Sequence, residues 1–543
     1  MRYVGRNAIQ GACALFVIAL LLCGSAHGGS ELGVAYDNPF FNAPDDPGNL
    51  GAKDNVDLSR IERVPGATDG ERGVELARRL FERLTGGAWG QVISNRAQIE
   101  NLTTLAAQAF TQYQATGDET KKTQAEMNLR DAARMITVHD GFINDVIFNW
   151  ARPLSVRSQD PLAHLNDFSA TFMGLAKEAV VNPSSLHSKL YDFRQILTGD
   201  FVYGGDYENP EVIAAVGSTN MSNDGKPNYS NNDHYKRLQG TIVEPAKERV
   251  NVKRLLIRYG QKEMTGMTGN ATGWRNATGW TAGVTTSRAW FQAHLDQGTN
   301  RRMIERVLAL FLCAPIESLR KPWPEPSTDV MLKIHRDVTR HPGGMSDKVP
   351  PNEKFKGQCY GCHSVLDPLR PAYGLVSHLP IDVANPMKGG ATEYEITNED
   401  DGFGKIAGGF HMLTKITSIN NADQRRGKIN KNNFNGGHPA ISALAVTTPQ
   451  WENSLSDPQY QALGIPSSPS NGSGPNSLMQ LFASSKAFKM CMARRAIAEM
   501  CNCQLRYVQN ELAEPLANDF ANSDYNIRYL FEAAAVLPQC LGR

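Results

Sequence analysis

The chain has 543 residues, with 56 Lys and Arg against 55 Asp and Glu and a formal net charge of +1 at pH 7. This balance gives no support for a nucleic-acid partner or an acidic membrane surface, because both are bound through an excess of basic residues. Hydrophobic residues make up 41% of the chain, beside 48 Gly and 29 Pro. The length predicts roughly two to four domains, and the composition predicts globular helical parts joined by long loops.

The N-terminal residues predict a secretory signal peptide over 1–26. Two arginines precede a short apolar core at 12–23, and small residues ending in Ala26 form a cleavage site. The apolar core is too short for a comfortable membrane span. A lipoprotein anchored through Cys23 is the alternative, and the bulky Leu22 before that cysteine argues against it. We therefore expect a bacterial protein that is periplasmic or otherwise exported, with no transmembrane helix in the mature chain.

Hydrophobic spacing and clusters of Gly, Pro and Asn divide the rest of the chain and predict a mainly α fold with long irregular loops. Three- and four-residue intervals that mark one helix face begin at Leu76, Leu80, Phe81 and Leu84. Helical character is also expected from Val250 to Tyr259. The predicted segments are an extended stretch at 27–70, a helical N-terminal domain at 71–202, a polar loop at 203–249, a helical segment at 250–320, a segment with a cysteine motif at 321–420, an irregular region at 421–475 and C-terminal helices at 476–543.

The cysteine motif is Cys359-Tyr360-Gly361-Cys362-His363, the attachment pattern of a c-type haem. Cys359 and Cys362 can each bond one vinyl group of the porphyrin, and His363 then lies beside the iron as its proximal ligand. Export strengthens this interpretation, because haem c is attached on the outer side of the membrane. We expect one covalent haem c in a monohaem, cytochrome c-like segment at 321–420.

Two alternatives to haem are a structural cysteine pair and a zinc site. Zinc needs two further ligands, for which Cys313 and His378 are candidates, but the adjacent Cys362 and His363 constrain such a site badly. Asp367-Pro368 follows the motif. We expect this pair to end the haem helix, because Pro restricts the residue before it to extended geometry. A second role for Asp367 is a hydrogen bond to the His363 ring.

The sixth iron ligand decides between electron transfer and oxidation chemistry, since an open position lets oxygen or peroxide reach the metal. The candidates are His378, Met387, His411 and Met412. Spacing favours Met387 or Met412, because His378 is close in sequence to His363 and cannot easily cross to the opposite face of the porphyrin.

Five further cysteines remain, so at least one lies outside intramolecular disulfides: Cys313, Cys491, Cys501, Cys503 and Cys540. Cys491 and Cys501 cannot bridge within one straight helix, because ten residues rise about 15 Å. Pairing of Cys501 or Cys503 with Cys540 is expected in an oxidising compartment. A redox centre at Cys501 and Cys503 is the alternative.

Two arginine pairs, Arg301-Arg302 and Arg494-Arg495, suit haem propionates, since guanidinium groups present a planar donor fork to carboxylates. A solvated helix face is the favoured interpretation of both pairs.

Several motifs beyond the haem segment resemble one known family. They are Leu312-Cys313-Ala314-Pro315, Leu366-Asp367-Pro368-Leu369, Asp192 to Asp200, and Phe482 to Phe488 followed by Cys491. With the cysteine motif they resemble the planctomycete-type cytochrome c proteins, in which helical domains flank one haem segment. The chain departs from that pattern at Tyr373. The family's usual aromatic residue after the Asp-Pro pair is offset here, and Tyr373 follows Pro371. The resemblance implies a periplasmic haem c.

Together these patterns predict a protein of periplasmic electron transfer that works with a redox partner protein. A haem c-dependent oxidising enzyme, of peroxidase or oxygenase type with an open distal site, is one alternative. A structural or binding protein of an envelope complex is the other.

Overall fold

The computed structural model describes a discontinuous set of residues between 67 and 541. The predicted signal peptide at 1–26, Cys359 and Met387 lie outside that set. In the strands formed by 253–256, 376–378, 403–406 and 410–413 the backbone alone is described. The described residues are 67–90, 94–155, 166–179, 191–204, 253–256, 282–287, 290, 293–294, 300–320, 360–373, 376–378, 403–406, 410–413 and 450–541.

Helices dominate the described residues, which confirms the predicted mainly α fold. Short 3-10 turns join several of them, and a π-helical turn at Phe142–Ile147 leads into α4. The α-helices are α1 Asp69–Thr85, α2 Arg96–Thr116, α3 Glu119–Thr137, α4 Phe148–Ala151, α5 Asp167–Glu178, α6 Gln195–Thr198, α7 Asn300–Phe311, α8 Tyr360–Leu369, α9 Gly474–Ala483, α10 Lys486–Met500, α11 Asn510–Asn522, α12 Ile527–Ala535 and α13 Pro538–Leu541.

The first helix shows how local sequence sets its own boundaries. Thr68 accepts a hydrogen bond from the Glu71 backbone, and the Glu71 side chain returns one to the Thr68 backbone, which closes a capping box. The helix ends where Gly86 adopts a left-handed conformation with φ of 65°. Its apolar face, predicted from three- and four-residue spacing, is fully buried at Leu76, Leu80, Phe81 and Leu84.

Strands form three small antiparallel sheets in the described residues. In one of them β1 pairs with β2, which occupies part of the stretch from Val250 to Tyr259 that was predicted as helical. That prediction was wrong because the pairing partner of β2 lies about fifty residues earlier in the chain, and tertiary pairing overrides local preference. The strands are β1 Phe201–Gly204, β2 Lys253–Leu256, β3 Val376–His378, β4 Phe403–Ile406, β5 Phe410–Leu413, β6 Gln450–Glu452 and β7 Asn471–Ser473.

The N-terminal and C-terminal helices share one hydrophobic core. Its centre is a group of aromatic rings in edge and stacked contact, with centroids 5.0 to 6.3 Å apart. These rings come from segments far apart in the sequence, so the core is built from several distant parts of the chain. The rings are Trp150, Phe168, Phe172, Phe193, Trp290, Phe311 and Phe531.

Arg528 of α12 joins two helices of the N-terminal part. Its guanidinium donates to the carbonyl of Thr137, the last residue of α3, and to that of Ala176 in the last turn of α5 at 3.0 Å. The carbonyls of a last helical turn have no partner within their helix. Glu532, one turn further along α12, accepts a hydrogen bond from the Thr137 hydroxyl at 2.7 Å. One buried arginine therefore caps two helices at once.

Two disulfides cross-link the described residues. Cys501 pairs with Cys540, which confirms one of the two predicted pairings and uses the Cys501 thiol of the alternative redox centre. Cys313 pairs with Cys491, a bond that the sequence left open. Cys503 lies outside both bonds.

Candidate functional site

The described part of the cysteine motif lies at the start of α8, which carries Cys362 and His363 in its first turn. Asp367 is four residues beyond His363, so the two side chains lie on one helix face. Helix α7 packs against α8 and brings Arg301 to the same place. Sequence spacing alone thus predicts the contact within α8, while Arg301 enters from 66 residues away.

Asp367 divides its two carboxylate oxygens between two partners. Its Oδ2 lies 3.0 Å from Nδ1 of His363, and its Oδ1 accepts a hydrogen bond from Nε of Arg301. The Asp367 side chain is 1% exposed, against 13% for Arg301 and 19% for His363. We call Arg301, Asp367 and His363 the buried triad. Water is almost excluded from its central carboxylate, so its charge is balanced by protein groups.

The charge state of Asp367 fixes the proton on His363. Burial on its own raises the pKa of the Asp367 carboxyl, but the Arg301 guanidinium and the His363 ring outweigh burial and hold that pKa below its usual range. An ionised carboxylate only accepts hydrogen bonds, so the imidazole Nδ1 must be the donor. In neutral His363 the lone pair therefore sits on Nε2, the nitrogen that would face a metal.

The predicted extended geometry of Asp367 was wrong, because Asp367 is helical, but α8 ends one residue beyond the predicted stop at Asp367-Pro368. Helix α8 continues to Leu369, and a 3-10 turn at Arg370–Tyr373 follows it. Pro368 occurs in the last turn, where its missing N–H removes only the bond to the Ser364 carbonyl. The burial of Leu366 and Leu369 holds that turn against the core. The hydrogen bond between Asp367 and the His363 ring, given as a second role, is present.

The Cys362 thiol is half-buried and packs against the core. Burial raises the pKa of this thiol, and the nearby Arg320 guanidinium opposes that effect. Tyr460 is near enough to this thiol to interact with it electrostatically, and the Tyr460 hydroxyl donates to the Leu319 carbonyl at 2.6 Å. Burial of this sulfur therefore favours its uncharged form over the thiolate in the metal-free protein.

Cys313 is not available as a ligand for the alternative zinc site, because it is bonded to Cys491. Within the ranges that the structure describes, no group of three or more His, Cys, Asp or Glu side chains is placed to hold a metal ion. A haem site with one protein ligand on each face is a different arrangement from such a cluster.

Three candidates for the sixth ligand meet in one sheet. His378 ends β3, while His411 and Met412 belong to β5, the central strand of the order β3-β5-β4. In the register of β3 and β5, His411 is opposite Ser377 and Met412 is opposite Val376. The fourth candidate, Met387, falls outside the described residues.

The arginine pairs are not solvated helix faces, which corrects that prediction. Arg494 is 3% exposed and donates to the Leu505 carbonyl at 2.9 Å. Arg495 donates to the Leu310 carbonyl at 2.9 Å, in the last turn of α7. Arg301 belongs to the buried triad. Their local sequence carries no sign of these contacts, because each partner lies on another element.

Comparisons of the chain with models of known protein families, with curated proteins and with solved structures found no match. Among the helices that the structure describes, none is both long enough and apolar enough to cross a membrane.

Proposed function

We propose that the chain is an exported monohaem c-type cytochrome of periplasmic electron transfer. Cys359 and Cys362 would hold the porphyrin as thioethers, and His363 would be the proximal ligand through Nε2. The observation that carries this proposal is the buried Asp367 carboxylate on Nδ1 of His363, the residue that follows the half-buried Cys362 in the sequence. Metal-bound histidines are oriented by an acceptor on their other nitrogen in this way.

The donor set fits a haem c. Consecutive residues of an α-helix point about 100° apart, so Cys362 and His363 at the start of α8 address different parts of one group. The half-buried thiol suits an uncharged thioether at the porphyrin edge, and the imidazole is held for the iron. Haem, when bound, supplies a one-electron couple. The protein would hold that group through α8, where Asp367 orients the His363 ring.

A second candidate function is a haem c-dependent oxidising enzyme. The ionised Asp367 favours it, because a carboxylate on the proximal histidine raises the basicity of the ligand nitrogen, and a strong donor favours O–O cleavage. The two functions differ at the opposite face. A Met or His there closes the iron for electron transfer, and an open position admits oxygen or peroxide.

The first experiment produces the full chain in a host competent in cytochrome c maturation. We expect a red protein whose mass exceeds that of the processed polypeptide by one covalent haem. Cys362→Ala should lose one thioether, and Cys503→Ala, a cysteine outside the motif, should keep the full haem content. Colourless wild-type protein with the mass of bare polypeptide would refute the proposal.

A second experiment separates the two functions. Low-spin ferric spectra with a methionine–sulfur band indicate electron transfer, and replacement of the ligand by Ala then abolishes the band. The residues to replace one at a time are His378, Met387, His411 and Met412. High-spin wild-type iron that binds cyanide or peroxide rapidly would instead establish the enzyme.

A further inference from the structure

We infer that the buried triad is a redox-tuning unit, in which Asp367 and Arg301 act through His363 to stabilise ferric over ferrous iron. The inference rests on the proposed function, since it takes His363 as the proximal ligand. It goes further by assigning roles to two residues outside the attachment motif. A protein tuned in this way is a stronger electron donor once it is reduced.

The acceptor on Nδ1 of His363 is a charged carboxylate. A neutral backbone carbonyl would orient the His363 ring and do little else. The Asp367 carboxylate, 3.0 Å from Nδ1, also pulls the shared proton and raises the electron density on Nε2. A more basic ligand nitrogen stabilises the iron state of higher charge. The acceptor therefore favours the ferric form.

Burial determines how strongly this charge acts. The Asp367 side chain is 1% exposed, so water does not screen its interaction with the imidazole. Electrostatic interactions are stronger in such an environment than at a protein surface. The charge also cannot be replaced by solvent when the side chain is removed. A change at Asp367 should therefore reach the iron with little screening by solvent.

Arg301 is the second partner of this carboxylate. Its Nε donates to Oδ1 while His363 takes Oδ2, so the carboxylate is held from both sides. A guanidinium suits this task because its donors lie in a rigid plane. Since Arg301 belongs to α7 and Asp367 to α8, the packing of two helices fixes the orientation of the imidazole. Arg301 and Asp367 are positioning residues, and His363 alone would touch the iron.

The electron balance needs only a one-electron partner protein. His363 keeps its Nδ1 proton in the hydrogen bond to Asp367 in both oxidation states, so no proton leaves the triad. One electron passes to a one-electron acceptor, and no covalent bond forms or breaks. The buried carboxylate makes this donation more favourable by stabilising the oxidised product.

The test compares midpoint potentials of the holoproteins. Asp367→Asn keeps an oxygen that can accept the Nδ1 hydrogen bond but removes the charge. We expect the equilibrium to shift at least about tenfold towards ferrous iron, a rise of about 59 mV for a one-electron couple. Asp367→Glu should stay closer to wild type than Asp367→Asn. The matched control is Glu514→Gln, which removes an exposed carboxylate paired with Lys486 at 2.6 Å and should leave the potential unchanged.

The outcomes separate the two proposals. Wild-type protein without haem would overturn the proposed function and leave the triad as an ion pair between helices. Haem-bearing Asp367→Asn with the wild-type potential would overturn the tuning role alone. A second measurement, made on wild-type protein, tests the inference even if the Asp367 variants do not fold. In ferrous wild-type holoprotein, the His363 Nδ1 proton should exchange slowly with solvent and resonate downfield, and a rapidly exchanging proton overturns the inference.

Discussion

The disulfide between Cys313 and Cys491 should be the largest single stabilising cross-link of the described fold. It joins the residue just beyond the end of α7 to α10, with Cα atoms 5.2 Å apart. Both cysteines are buried, at 3% and 0% exposure. Replacing both by Ala would free the chain between them in the unfolded state without introducing a charge.

The expected loss follows from the length of chain that the bond closes. A cross-link restricts the unfolded state in proportion to the logarithm of loop length. The sequence separation of 178 residues gives about 5 kcal/mol at 25 °C in that relation. The bond between Cys501 and Cys540 closes 39 residues and gives about 4 kcal/mol. Total stabilities are about 5–15 kcal/mol, so either loss is a large fraction.

Urea unfolding followed by circular dichroism measures both losses. Cys313→Ala/Cys491→Ala should lower the free energy of unfolding more than Cys501→Ala/Cys540→Ala, with midpoints shifted accordingly. Cys503→Ala is the matched control and should unfold close to wild type. If the first pair cost less than the second, or nothing, loop length would not govern these bonds and the argument would fail.

Three further predictions concern local features. Thr68→Ala removes the cap of α1 and should lower the free energy of unfolding in urea by about 1 kcal/mol. An unchanged free energy of unfolding would mean that the cap does not stabilise the protein. Phe172→Ala empties a fully buried ring site and should cost about 3–5 kcal/mol by the same measurement, whereas a cost under about 1 kcal/mol would contradict the described core. The Arg78 hydrogen bond lowers the pKa of Glu75 from 4.5 to about 2, so the stability that Glu75 adds is present above pH 4.5 and lost as pH falls towards 2. Thermal melts of Glu75→Gln should show a weaker decline over that range, and an unchanged decline would contradict the shift.

Many of the helices could be predicted from the local sequence. The face of α1 was predictable because its apolar spacing, its cap and its terminal glycine agree with one another. The contact between His363 and Asp367 follows from a four-residue interval on one helix. These features depend on neighbours within a few residues, which a single sequence displays directly.

Contacts between distant elements could not be predicted from the sequence. Nothing near Arg301 indicates that its partner is Asp367, and nothing near Cys313 indicates Cys491. The stretch around Lys253–Leu256 was predicted as helical, and that prediction failed because the strand depends on its nonlocal pairing with β1. Helix α8 passed through Pro368 because burial of the surrounding turn outweighed one lost hydrogen bond. In each case the deciding energy came from another part of the chain.

The position of Arg528 has a consequence for the order in which the protein matures. Synthesis proceeds from the N-terminus, so α3 and α5 emerge long before the side chain that satisfies their final carbonyls. Until α12 has been made, those carbonyls must rely on water. A product truncated before α12 would therefore leave the Thr137 and Ala176 carbonyls without the Arg528 guanidinium as their partner.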